Sequence, residues 1–190
     1  MLDARALKAR YSSKWRLAAR RELLSYNILN ILLARYGCYV LFTGVGSGYT
    51  GYVPDNYDSP LNAFDFAVFC SKGKGDELVA FVDVTGYRDY SDGRGDTKPC
   101  ILYRKVEKAK RLGIPLERVW FLHFVDTRVS MRLINAHLVE EMLAQGLAEK
   151  RKLYRDENWY ICIEQRRWLE PRNFMKWLAM MKEVNNSGQL

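Results

Sequence analysis

The spacing of apolar residues predicts an α/β fold with a mixed central β-sheet flanked by helices. Short β-branched and aromatic runs, CYVLFT at 38–43, FDFAVFC at 64–70, LVAFVDVT at 78–85 and VWFLHFV at 119–125, have the length and composition of buried strands. Stretches with apolar residues at helical spacing, 14–36 and 101–112, separate them. Between the second and third runs, SKGKGDE carries the glycines and charges of a hairpin turn. The order helix, strand, hairpin, helix, strand is that of helices packed on a sheet.

The first helix is expected over Lys14 to Tyr36, with Trp15, Ala18, Ala19, Leu23, Tyr26, Leu29, Ile31 and Leu33 as a wide apolar stripe and Gly37 as its stop. Gly44 to Ser59 has no period and reads as a long loop, with Tyr49 and Tyr52 available to stack on a substrate. Its GVGSGYTG segment lacks the Gly-Lys-Ser/Thr ending of a nucleotide-binding loop. A second polar loop, Gly86 to Lys98, leads to a helix at Ile101 to Leu112 that stops at Gly113. Further on, Ser130 to Gln145 reads as helical. Lys150 to Tyr154 and Trp159 to Glu164 flank a turn, and Pro171 opens a last helix that runs to Val184. The division expected is a core over 1–128 and a helix-hairpin-helix extension over 129–190 packed on the same domain. That extension is either a winged-helix-like DNA reader or simply more sheet.

A chain of 190 residues with 48% hydrophobic and 27% charged residues buries one substantial core and lies outside the disordered class. Its formal charge of +8 clusters between Arg5 and Arg35 and beyond Lys150, which favours a polyanionic partner, DNA ahead of RNA. Four widely spaced cysteines without a CxxC pair are expected to be buried free thiols in a reducing cytoplasm, not zinc ligands. No apolar run reaches the roughly 18 residues of a membrane span, and no leader is expected.

Chemistry is suggested by two carboxylates in apolar strands. With the hairpin turn centred near Lys74, the residue facing position i is twice 74 minus i, so Asp65 faces Asp83. Their Cβ atoms would then stand roughly 4.5–5.5 Å apart on one face. Like charges so placed need a cation between them or a proton on one of them. Oxygen donors at this spacing suit Mg²⁺ or Mn²⁺. A slipped register or a neutralising arginine is the structural alternative. Glu22, at the edge of the first helix's apolar stripe, is a candidate third ligand. His123, mid-strand among aromatics, is expected to be a core residue. His137 has no triad partners, Asp89, Asp92 and Asp96 lack calcium-loop spacing, and Asp55 lies in a loop.

RELL at 21–24, FDFAVF at 64–69, the glycine-rich turn, AFVDVTG at 80–86 and the basic helix after it together resemble the PD-(D/E)XK nuclease superfamily, particularly its archaeal Holliday-junction-resolvase-like branch. The resemblance covers Arg20 to about Thr127. It implies a restriction-endonuclease-like fold and metal-dependent hydrolysis of DNA phosphodiesters, with Glu22, Asp65, Asp83 and the backbone carbonyl of Val84 as ligands. It also implies a phosphate track of Arg20, Arg21, Arg104, Lys105 and Lys108, and a homodimer by analogy. Two positions after the second acid the family carries a lysine, and here stands Thr85, which cannot act as a cation. Lys98, Arg104 and Lys105 are the candidate substitutes. If none reaches the site, the alternative is a DNA-binding protein that does not cut.

Overall fold

The computed structural model describes the backbone of residues 4–43, 60, 63–73, 75–85, 89–91, 97–125, 130–153 and 158–187. Helix α1 (Ala4–Ala34) leads into β1 (Cys38–Phe42). The hairpin β2 (Phe66–Lys72) and β3 (Gly75–Thr85) follows, then β4 (Asp89–Ser91), β5 (Thr97–Leu102) and α2 (Tyr103–Arg111). Next come β6 (Val119–Val125), β7 (Ser130–Asn135), α3 (Ala136–Ala144), β8 (Glu149–Lys152), β9 (Trp159–Cys162) and α4 (Pro171–Ser187).

The expected mixed α/β architecture is what forms. A five-stranded sheet runs β1-β2-β3-β6-β7, with β3 and β6 parallel and every other neighbouring pair antiparallel. On one face, Leu29 and Leu33 of α1 and Phe174 and Leu178 of α4 pack on Phe66, Val68, Val82, Trp120, Leu122 and Leu133. On the other, Val106 and Ala109 of α2 and Val139 of α3 pack on Ala67, Phe81, Phe121 and Ile134. Both sheet faces are covered, which is why the strand runs read as continuously apolar. A second sheet, β4-β5-β9-β8, closes beside α2.

Four expectations change. Over its described side chains, Ala18 to Ala34, the stripe of α1 is narrower than its apolar residues suggest: Arg21, Ser25, Leu29 and Leu33, four apart, are buried there, while Leu23 and Ile31 are 55% and 75% exposed. The helix expected from Ile101 begins at Tyr103, because Thr97 to Leu102 form a strand between β4 and β9. Ser130 to Asn135, read as the start of a helix, is instead the sheet's edge strand. The Asn135 side chain then caps α3 by accepting the Leu138 N–H at 2.8 Å, marking the true boundary. The segment assigned to the C-terminal extension thus supplies β7 and α4 to the central core. Gly44 to Ser59, with Tyr49, Tyr52 and Asp55, lies outside the described residues, as do Asp92 and Asp96.

The fourth change concerns the cysteines, which are not free. Cys38 and Cys70 are directly opposite across β1 and β2 and form a disulfide, as do Cys100 and Cys162 across β5 and β9. Strand register brings the thiols together from 32 and 62 residues apart in sequence, a distance at which no spacing motif announces a pair. Disulfides persist in oxidising compartments and inside hyperthermophile cells, so the inference from free thiols to a reducing cytoplasm no longer holds. Among the described residues no helix is long and apolar enough to cross a membrane. Loop-closure entropy for these separations gives about 3.5–4.5 kcal/mol per bridge as an upper figure. Reduction is therefore expected to lower Tm by several degrees, with two disulfides counted by mass spectrometry after alkylation of the unfolded, unreduced chain. Four alkylated thiols in unreduced protein would overturn the assignment.

Candidate active site

The hairpin's register is set by two local features. Its tight turn, with Gly73 at φ +55°, pairs Lys72 with Gly75, Ser71 with Asp76 and Cys70 with Glu77. Continued unchanged, that pairing would set Asp65 against Val82, and the two aspartates would point to opposite faces. A bulge prevents this. Between Val68 and Phe69 the register shifts by one residue, so Val68 faces Ala80 and Phe66 faces Val82. Asp65, one residue before β2, then falls opposite Asp83. Since Ala67 and Phe81 pack toward α2, alternation puts both carboxylates on the α2 side of the sheet.

Helix α2 meets them with a lysine. Val106 and Ala109 are its buried positions, and Lys105, one turn before Ala109, lies on the same side. Its ammonium is 2.7 Å from Asp83 Oδ1 and donates to the Ala63 carbonyl at 3.1 Å, with the Phe64 ring centroid at 5.9 Å. Asp65 Oδ2 accepts the Val84 N–H at 2.7 Å. The Lys105 and Asp83 side chains are 24% and 9% exposed, so this pair is screened far less than a surface one.

The electrostatics follow from that burial. Desolvation, then the charge of Asp83, pushes Asp65 well above the usual aspartate range. Lys105 and the Val84 N–H oppose the rise, and Glu22 adds to it. Burial pulls the Lys105 ammonium down, but the charges of Asp83 and Asp65 and the hydrogen bond to Asp83 outweigh it, so Lys105 stands above the usual lysine value. The residual misfit sits on Asp65, where the charges of Asp83 and Glu22 add to desolvation and Lys105 offsets only part of the rise.

Of the residues singled out in the sequence, Asp65, Asp83 and Lys105 come together, and half-buried Glu22 is near enough for Asp65 to feel its charge. Arg20, Arg104 and Lys108 reach the surface to differing degrees. Arg21 does not share that surface: it is 6% exposed, because it falls on the buried stripe of α1. Lys98 is taken by Glu149 at 3.0 Å on the second sheet. Thr85 is buried and donates its hydroxyl to the Leu122 carbonyl at 3.1 Å, which ties it back into the sheet. His123 is a buried residue against Trp168, as expected. The Ala63 carbonyl was not legible as part of the site. The periodicity of Val106 and Ala109, in contrast, could have singled out Lys105 from its competitors.

Among the described residues no three His, Cys, Asp or Glu side chains close into a metal cage. The donor set nonetheless fits a hard divalent ion, which keeps several waters and needs only one or two carboxylates. The excess negative charge recorded in the raised Asp65 is what such an ion relieves.

A sequence model of the viral/archaeal nuclease family matches residues 18–175. The chain belongs to that family. An uncharacterised protein, D-244, of Sulfolobus spindle-shape virus 1 is 28% identical over 162 residues, 82% of this chain and 60% of that protein. The chain thus spans less than two thirds of that relative's length. The solved structure of D212, a nuclease from a fusellovirus, aligns over 92% of this chain and 94% of its own with a TM-score of 0.61. At 19% identity the likeness is one of fold. The span matched by the family model includes Glu22, Asp65, Asp83 and Lys105.

A carboxyl whose pKa is raised on folding adds stability in acid and loses it as pH rises through the folded value. In metal-free protein, Asp65→Asn is therefore expected to melt above wild type at neutral pH, and the two curves to converge below about pH 4, where the unfolded carboxyl is also protonated. Thermal melts in EDTA across pH check this; a gap independent of pH would mean that Asp65 is not the strained group.

Proposed function

We propose that this chain is a metal-dependent nuclease that hydrolyses DNA phosphodiester bonds at Asp65 and Asp83. The Lys105–Asp83 ion pair carries the reading: it returns to the acidic pair, from a helix, the cation that Thr85 removes from the strand. Mg²⁺ or Mn²⁺ is the fitting cofactor, held by Asp65 and Asp83 with Glu22 and the Val84 carbonyl as further donors. When bound, such an ion lowers the pKa of water and offsets charge building on the phosphate.

The chain's own groups do the rest. Asp65 is oriented by the Val84 N–H, which leaves its other oxygen for a ligand. Lys105, fixed by Asp83 and the Ala63 carbonyl, presents an ammonium in a water-poor recess, where a donor to a non-bridging phosphate oxygen acts more strongly than in bulk water. Arg20, Arg104 and Lys108 supply surface charge for the flanking phosphates, which makes binding salt-dependent.

Incubation with branched, single-stranded and duplex DNA tests the proposal. Cleavage is expected with Mg²⁺ or Mn²⁺ and not in EDTA, abolished by Asp83→Asn, and slowed about 10²–10³-fold by Lys105→Ala with DNA binding retained. Binding without cleavage of any substrate sinks the enzyme reading. Because Lys105→Ala leaves Asp83 without its partner, it is also expected to cost about 2–4 kcal/mol of stability. In wild type, Mg²⁺ should raise Tm, and it should not do so in Asp83→Asn.

A further inference from the structure

The second sheet carries an aromatic group for which the acidic site has no use. Trp159 stands at the start of β9, directly opposite Lys152 of β8, and is 46% exposed. Lys150, two residues before Lys152, projects from the same face. Its ammonium is 3.5 Å from the Tyr103 ring centroid and 5.6 Å from that of Trp159, and Lys152's is 5.5 Å from Trp159. Among the described residues neither ammonium is paired with a carboxylate, whereas Arg151, on the opposite face between them, meets Glu149 at 3.5 Å. Two cations with no carboxylate partner among the described residues thus flank a half-exposed indole.

We propose that Trp159, Lys150, Lys152 and Tyr103 form a platform for single-stranded DNA, with an unpaired base stacking on Trp159 and its flanking phosphates meeting the two lysines. Every base has a π-face, so stacking on an indole tolerates any sequence but demands that the base be unpaired. At 5.5 Å and 5.6 Å the ammonium groups lie near the outer limit of cation–π attraction to Trp159, so exchanging the ring for a phosphate oxygen gives up little. Charge complementarity names the occupant: an aromatic solute with an anion on either side.

The platform and the acidic site share helix α2. Tyr103 is the first residue of α2, and Lys105 follows about 3 Å further along its axis. Both groups therefore draw on the first turn of α2, Tyr103 through Lys150 and Lys105 through Asp83. Resting on the nuclease reading, the proposal assigns that site DNA with unpaired bases, such as a flap, a branch or a free end.

Binding of the intact chain in EDTA to a labelled single-stranded oligonucleotide and to the corresponding duplex, followed by fluorescence anisotropy, tests it without cleavage. Trp159→Ala is expected to weaken single-strand binding about 10-fold and duplex binding less than about 2-fold, and Trp159→Phe to recover most of the loss. Lys152→Ala should flatten the single-strand salt dependence by about 0.7 in log–log slope. An equal loss on both DNAs, or no change on single strands, overturns the platform, with unaltered circular dichroism as the control for folding. Cleavage in Mg²⁺ is scored separately. A chain that binds as described and cuts nothing keeps the platform and loses the nuclease reading; one that cuts but is indifferent to Trp159→Ala loses only the platform.

Discussion

Two carboxylates side by side within a sheet repel each other and lose most of their hydration, so whatever packs over them must bring positive charge. Lys105 answers that constraint. It reaches across from α2 to Asp83 while the Val84 N–H steadies Asp65. Even so, the carboxyl of Asp65 remains above its ordinary range, because Asp83 and Glu22 both lie within its field. A site built purely for stability would place apolar side chains here, since a buried ion pair rarely improves on well-packed hydrocarbon. Retaining excess negative charge there is a cost that the cation of the proposed function would offset.

The rest of the architecture keeps this arrangement in place. The bulge opposite Val68 and Phe69 costs one ladder position, yet it is what puts the acids on a common face. Helix α2 begins where β5 ends, and β5 is fastened to β9 by strand pairing and by the Cys100–Cys162 disulfide. The second sheet therefore acts as a bracket for the helix that carries Lys105. Cys38–Cys70 makes an equivalent cross-link between β1 and β2, close to the strand that presents Asp65. Each bridge joins neighbouring strands and so stiffens the support of the site from one side.

Charge is divided by depth. Asp83 is buried and Asp65 and Glu22 are partly so, while Arg20, Arg104, Lys150 and Lys152 are exposed. On the proposed nuclease reading, such a division would draw a polyanion to the surface and keep carboxylates for the place where a counter-ion could sit.

The run lengths of apolar residues, the hairpin and its two aspartates were legible in the sequence, because a strand's twofold alternation and a glycine turn are local properties. Pairing arithmetic placed Asp65 opposite Asp83 although it centred the turn on Lys74; the real turn is tighter, and the bulge restores the sum. Local patterns could not separate β7 from α3, since Met131, Leu133 and Ile134 are apolar in either periodicity and only the Asn135 cap divides them. Nor could they foresee the disulfides, which depend on which strands become neighbours. The spacing of Val106 and Ala109 puts Lys105 on the inner side of α2, but that this side faces Asp83 depends on the direction in which α2 leaves the second sheet. The sequence by itself determined that each strand of the hairpin would carry one acid; the bulge decided that the two share a face, and the packing of α2 decided which cation they share it with.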